Sequence, residues 1–183
     1  MTTEHRATRP AVLITGASRG IGRAVAHELA ADHHLILSGR DGRALAALAA
    51  ELDSAEVLVA ELTDHAATAE AVRALDLPGG LAGVVHSAGI LVNGSVEELS
   101  AEDWERNFAI NVTAVSELTR LLLPALREAR GTVVAVNSGS GYNAKGDRGA
   151  YSASKFALRA WTDALRQEEL PRSEEHTSEL QSH

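Results

Sequence analysis

The 183-residue chain contains no cysteine, which excludes disulfides, thiol nucleophiles and thiolate metal sites together. It has no excess of positive charge: 25 acidic against 17 basic side chains give a net charge of −8, and no run of Lys or Arg forms a phosphate-tracking stripe. Nucleic acid is therefore excluded as the main partner. Residues 1–10 are polar and carry no apolar signal segment. Uninterrupted apolar runs fall well short of a membrane span, so no membrane partner is expected and the expected location is the cytoplasm. The eight histidines show no metal-ligand spacing; no metal is expected, and His33 and His34 are expected at the surface. No internal repeat or linker divides the chain, and 45% hydrophobic content over this length suits one domain with a sizeable core.

What is present is an alternation of short β-branched runs and alanine-rich helical stretches. Ala11-Val12-Leu13-Ile14-Thr15, between Pro10 and Gly16, has the pattern of a strand buried on both faces. It runs into Gly16-Ala17-Ser18-Arg19-Gly20-Ile21-Gly22 and then a helical stretch. Strand, glycine turn and helix form the setting a dinucleotide-phosphate loop needs. Gly16 permits the tight turn, Gly20 lets backbone approach a pyrophosphate, and Gly22 allows close helix packing, with the helix N-terminus facing the phosphates. A plain glycine turn is the alternative.

Further strands are expected at 34–38, 55–60, 81–85 and 132–136. Helices are expected at 41–52 with Asp41 as N-cap, from Asp64 to about Leu75, from a near capping box at Ser100 and Asp103 to about Ile110, at 112–129 with a bend or break near Pro124, and from Ala150 or Tyr151 onward. The expected fold class is α/β: a Rossmann-like, doubly wound parallel sheet.

Tyr151-Ser152-Ala153-Ser154-Lys155 places a phenol and an ammonium four residues apart on one helix face. A phenol ordinarily titrates near ~10. An ammonium at ~4 Å and an effective dielectric of ~20 attracts its anion by ~4 kcal/mol, and desolvation opposes this. Alone, the pair is a weak signal that far more often describes a half-buried tyrosine beside a surface lysine.

Taken with Ser87-Ala88-Gly89 after the fourth strand, Asn111, Ser138 thirteen residues before Tyr151, and the loop from Thr15 to Gly22, the pair resembles the short-chain dehydrogenase/reductase family. The resemblance runs from Val12 to about Leu170. It implies hydride transfer between NADP(H) and a small carbonyl or secondary alcohol substrate. Tyr151 would be the general acid/base, Lys155 would lower its pKa and hold the nicotinamide ribose, Ser138 would orient the substrate oxygen, and Asn111 would anchor a relay water. Ser140 is an alternative to Ser138; Asn111 can also cap or kink the following helix. Implied cofactor contacts are Gly16, Ser18, Arg19, Gly20, Ile21, Gly22, Arg40, Glu61, Leu62, Ser87, Ala88, Gly89, Tyr151 and Lys155. Tyr142, Asn143 and Lys145 would edge the substrate pocket, and a homodimer or homotetramer is implied by analogy with the family.

The cofactor choice rests on Leu37-Ser38-Gly39-Arg40, where no carboxylate precedes Asp41. An acid there would bind an NAD ribose; Arg40 and Arg19 instead suit the 2′-phosphate of NADP, unless both are only solvated surface residues. Two departures from the family pattern are His86-Ser87 for Asn-Asn, which changes the side chains expected near the adenosine ribose, and Glu61 for Asp near adenine. The family's last strands are not expected here. Residues 172–183 resemble a translated sequencing-library adapter and are expected to be a non-native tail, with a natural polar tail as the alternative. The chain as written is therefore expected to be weakly folded and poorly active. An epimerase-like relative and a non-catalytic dinucleotide-binding module are the competing functions.

Overall fold

The computed structural model describes residues 9–179. Its elements alternate in order: β1 (Ala11–Thr15), α1 (Gly20–Leu29), β2 (His34–Gly39), α2 (Gly42–Ala50), β3 (Ala55–Val59), α3 (His65–Arg73), β4 (Gly83–His86), α4 (Ala101–Phe108), α5 (Ala114–Ala129), β5 (Thr132–Ala135) and α6 (Gly149–Glu179). The sheet is parallel throughout, in the order β3-β2-β1-β4-β5. The chain winds outward from β1 to β3, then returns to the other side of β1 for β4 and β5. That reversal between β1 and β4 opens a crevice at the carboxyl ends of the strands.

Side-chain alternation along each strand divides the core between the two faces of the sheet. Val12 and Ile14 of β1, Leu35 and Leu37 of β2 and Val85 of β4 pack with Ala26 of α1 and with Leu45 and Leu48 of α2. Leu13, Ile36 and Val84 pack on the opposite face with Leu118, Leu122 and Leu126 of α5. Because both faces are covered, the strands read as unbroken apolar runs. Each fully buried aliphatic side chain contributes about 1.5–3 kcal/mol. The helix starts follow local chemistry. Asp41 and Asp64 accept from the Ala44 and Ala67 amides, each at 3.0 Å, and Ser100 with Asp103 closes a full capping box.

The expected interruption at Pro124 is not found. Pro124 lies inside α5, which continues to Ala129. Proline removes a donor to the carbonyl four residues back, on Arg120, whose position is exposed, so water can satisfy that group. The irregular turn falls earlier, at Ala109–Thr113, a π-helical turn that joins α4 to α5 with Asn111 buried at its middle.

The resulting path, Ala101–Ala129, is long and apolar enough by composition to cross a membrane. Counting only uninterrupted apolar runs overlooks it, because Glu117 and Arg120 break the run. Its apolar stripe is the one packed on the sheet through Leu118, Leu122 and Leu126.

His34 is also buried rather than at the surface. It opens the inner strand β2, with Nδ1 2.9 Å from Ser54 Oγ and Nε2 3.6 Å from the Glu56 carboxylate. Of the expected tail, backbone to Glu179 continues α6 and residues 180–183 lie outside the described residues.

Among the described residues strand β5 is an edge of the sheet, and Val134 at its middle is 46% exposed. Edges of this kind template pairing with other chains. Val134→Lys is expected to lower light scattering of concentrated protein while shifting unfolding stability by less than about 1 kcal/mol. Unchanged scattering would show that the β5 edge does not drive self-association.

Candidate functional site

The loop from β1 to α1 is shaped by three glycines with different constraints. Gly16 has φ of +64°, and a Cβ there would meet the Ala88 backbone at 2.9 Å. Gly22 lies against Gly16 itself: a Cβ would stand 2.5 Å from the Gly16 carbonyl oxygen. Gly20 has φ of +58° with nothing near its Cβ position, which leaves that side open to an incoming group. Arg19 precedes α1 in extended conformation and gives no side-chain cap. The first-turn amides of this ten-residue helix thus retain their capacity to bind an anion. Thr15 Oγ1 accepts from the Ser87 and Ala88 amides, each at 3.1 Å, and fixes the second loop against the first.

Between these loops lies a cleft of ≈ 620 Å³, within the range of small-molecule and cofactor sites. Of the expected cofactor contacts, Gly16, Ser18, Arg19, Gly20 and Ile21 line it from the first loop, Arg40 from the end of β2, and Glu61 and Leu62 from the end of β3. Ser87, Ala88 and Gly89 complete that wall. Gly22 lies behind the loop, and Tyr151 and Lys155 do not line the cleft. A further wall comes from Glu105, Arg106, Ala109 and Ile110 of α4 and the π turn, with Gly39, Ala60, Thr63 and Ile90 between. Sequence reading misses this wall because nothing local in α4 marks which of its faces turns toward a loop far along the chain.

At the far end of the cleft, Asp41 is committed to capping α2. Arg40 Nη1 stands 3.5 Å from Glu61 Oε2, with both groups solvated. An exposed pair of this kind is worth about 0–1 kcal/mol and is readily exchanged for a stronger anion.

Around Tyr151 a second set of groups converges. Lys155 is only 6% exposed; its Nζ donates to the Val136 carbonyl at 2.8 Å and lies 5.9 Å from the Tyr151 ring centroid. Burial holds its pKa below the usual lysine range. This lysine is not a surface residue; a carbonyl contact offsets only part of the cost of burying an ammonium, a pattern that marks functional sites. Asn111 Oδ1 accepts from the Ile90 amide, and its Nδ2 donates to the Ile90 carbonyl, both at 2.9 Å, and to Ser154 Oγ at 3.0 Å. It therefore bridges the β4 loop to α6 and caps no helix; the kinked alternative is the one realised, as a π turn. Ser154 donates onward to the Tyr151 carbonyl at 2.7 Å. Asn137 accepts from the Ser138 amide at 2.9 Å and donates to the Lys155 carbonyl at 3.3 Å. Ser138 Oγ accepts from the Ser140 amide at 3.1 Å, so its own hydrogen points elsewhere, whereas Ser140 is buried. Tyr142 is exposed, under the Arg159 guanidinium at 4.4 Å.

His86 departs from expectation. Its side chain does not reach the cleft; alternation along β4 puts it with Val84 on the α5 face. There it is 3% exposed, with Nε2 2.8 Å from Thr119 Oγ1 and its ring edge-on to Trp161. Burial lowers its pKa to about 4.

The short chain dehydrogenase family model matches residues 10–173. The ketoacyl reductase HetN of Nostoc sp. is 34% identical over 168 residues, covering 88% of this chain and 58% of HetN. A short-chain dehydrogenase from Streptomyces avermitilis superposes with a TM-score of 0.84 at 33% identity, covering 90% of this chain and 62% of that one. An alcohol dehydrogenase from Thermococcus sibiricus, complexed with 5-hydroxy-NADP, gives 0.83 at 28% identity, covering 87% and 71%. The chain thus spans 58% of the length of its curated relative.

The His86 environment sets a pH dependence. Between about 4 and 6.5 the unfolded chain binds a proton at this histidine and the folded chain does not, so stability rises with pH across that window. The contribution is complete above about 6.5 and gone below about 4, at most roughly 3 kcal/mol. Denaturant titrations at pH 7 and 4.5 should show wild type losing about 2 kcal/mol more than His86→Asn. Equal losses would contradict the assignment.

Proposed function

The chain belongs to the short-chain dehydrogenase family, and from that premise we propose that it binds NADP(H) in the cleft and passes hydride between it and a carbonyl or secondary alcohol. The observation that carries the reading is the buried Lys155 ammonium beside Tyr151. A lysine held out of water next to a phenol is expensive as packing and useful as an acid–base pair.

Fit to a dinucleotide rests on the glycine cradle, the uncapped start of α1 and the cleft volume. The pyrophosphate would lie over Gly16–Gly20, the adenosine end toward Arg40 and Glu61, and the nicotinamide end toward Ser87–Gly89 and Tyr151. Preference for the 2′-phosphate is supported by Arg19 and Arg40 on the cleft wall and by Asp41 being spent as a helix cap. The Thermococcus sibiricus relative's complex with 5-hydroxy-NADP agrees with this choice. A phosphate dianion would compete successfully with Glu61 for Arg40, since charge-assisted bonds to phosphate exceed a solvated ion pair.

When bound, the dinucleotide supplies or takes the hydride. The residues do the rest. Tyr151 delivers the phenolic proton to the carbonyl oxygen, or removes it from the alcohol in the reverse direction. Ser138, its oxygen already holding the Ser140 amide, donates its hydrogen to the same substrate oxygen and steadies its developing charge. Lys155 provides the fixed positive charge beside the phenol. Asn111 holds the β4 loop and α6 at a constant separation.

Tyr151→Phe should lower carbonyl-dependent NADPH oxidation by roughly 10²–10⁴-fold while leaving NADPH affinity within about threefold. In the same assay Arg19→Ala with Arg40→Ala should weaken NADPH binding by at least about tenfold and leave NADH binding unchanged. Turnover that survives Tyr151→Phe would remove the tyrosine from its role; equal losses for both dinucleotides would remove the 2′-phosphate assignment.

A further inference from the structure

His86 stands where the cleft wall meets the groups around Tyr151. Its carbonyl accepts from the Val136 amide at 2.9 Å, and the Val136 carbonyl in turn accepts from Lys155 Nζ at 2.8 Å. One residue on, Ser87 and Ala88 hang from Thr15 Oγ1 and line the cleft. The imidazole reaches away from both. It bonds Thr119 of α5 at 2.8 Å and meets Trp161 of α6 with ring centroids 6.5 Å apart at 87°. A single side chain therefore touches the two helices on which the π turn and Tyr151 depend, while its own peptide leads to Lys155 in one direction and to the cleft in the other. Filling this space alone would not require an imidazole, since an apolar side chain avoids the cost of burying ring nitrogens. No charged side chain contributes to its lowered pKa; burial alone does so.

We propose that His86 is a positioning residue: its bond to Thr119 holds the Ser87–Gly89 wall and the Val136 carbonyl beneath Lys155 in register with α5 and α6. The functional consequence rests on the cleft being a dinucleotide site; the positional role does not. In the neutral ring, Nε2 either accepts from the threonine hydroxyl or donates to it, and the bond survives in both tautomers. Replacing threonine by valine puts a methyl in place of the hydroxyl, which removes the bond with little change of shape and takes this partner from Nε2.

The test combines amide hydrogen exchange with NADPH titration on wild type, Thr119→Val and Thr119→Ser. In wild type the Ser87, Ala88 and Val136 amides should exchange with the slowest class, through global unfolding. Thr119→Val should accelerate these three amides by at least about tenfold relative to those of Leu35 and Leu37 in β2. It should also weaken NADPH binding by about tenfold, and Thr119→Ser should restore both. Acceleration shared equally by β2 would reduce the contact to ordinary core stability and overturn the proposal. So would unchanged exchange at the three amides, or wild-type amides that already open locally. The wild-type measurement keeps the proposal falsifiable if Thr119→Val does not fold. If wild type fails to bind NADPH, the functional reading falls while the exchange pattern still decides the role of His86.

Discussion

Three stretches of backbone meet at the top of β1 and β4 with no room for a side chain between them. A Cβ on Gly16 would sit 2.9 Å from the Ala88 backbone, and one on Gly22 2.5 Å from the Gly16 carbonyl oxygen. Thr15 closes the contact by accepting from the two amides that follow β4. The start of α1, the floor of the cleft and the position of the β4 loop all follow from this approach. Because Gly16 also needs a positive φ, any larger residue there faces both a strained backbone and a collision. The parallel sheet, with apolar residues packed on both faces, makes the approach rigid.

A second layer of order depends on that floor. The β4 loop is held to α6 through Asn111, whose side chain spends both amide hydrogens and its oxygen on Ile90 and Ser154. The π turn places Asn111 inward, four residues after the equally buried Asn107, at a point where a regular helix would present a different residue. Lys155 is then enclosed with one carbonyl partner beside Tyr151. The cost of desolvating the ammonium falls on this corner of the molecule, beside the Tyr151 ring.

Features governed by local backbone chemistry were legible from sequence. The glycine loop, the caps at Asp41, Asp64 and Ser100, and the strand at Ala11–Thr15 follow from residue type and immediate spacing. What escaped reading depends on which way a side chain turns in three dimensions. His86 is one residue from the cleft wall, yet strand alternation sends it to α5. His34 reads as a polar surface residue until β2 is placed inside the sheet. The α4 wall of the cleft, and the pairing of Arg40 with Glu61 across 21 residues, arise from packing between elements that no short motif encodes. Pro124 does not interrupt α5, because water reaches the carbonyl it leaves unpaired.

The central claim is that the crevice between β1 and β4 holds a dinucleotide along the glycine loop. Amide chemical-shift mapping during titration with NADP⁺ tests it most directly. The account predicts saturable shifts at Gly16–Gly22, Arg40, Glu61 and Ser87–Gly89, with the opposite end of the sheet around His34 and Gly80 unmoved. Saturating shifts centred on that opposite end, or none at the glycine loop, would contradict it.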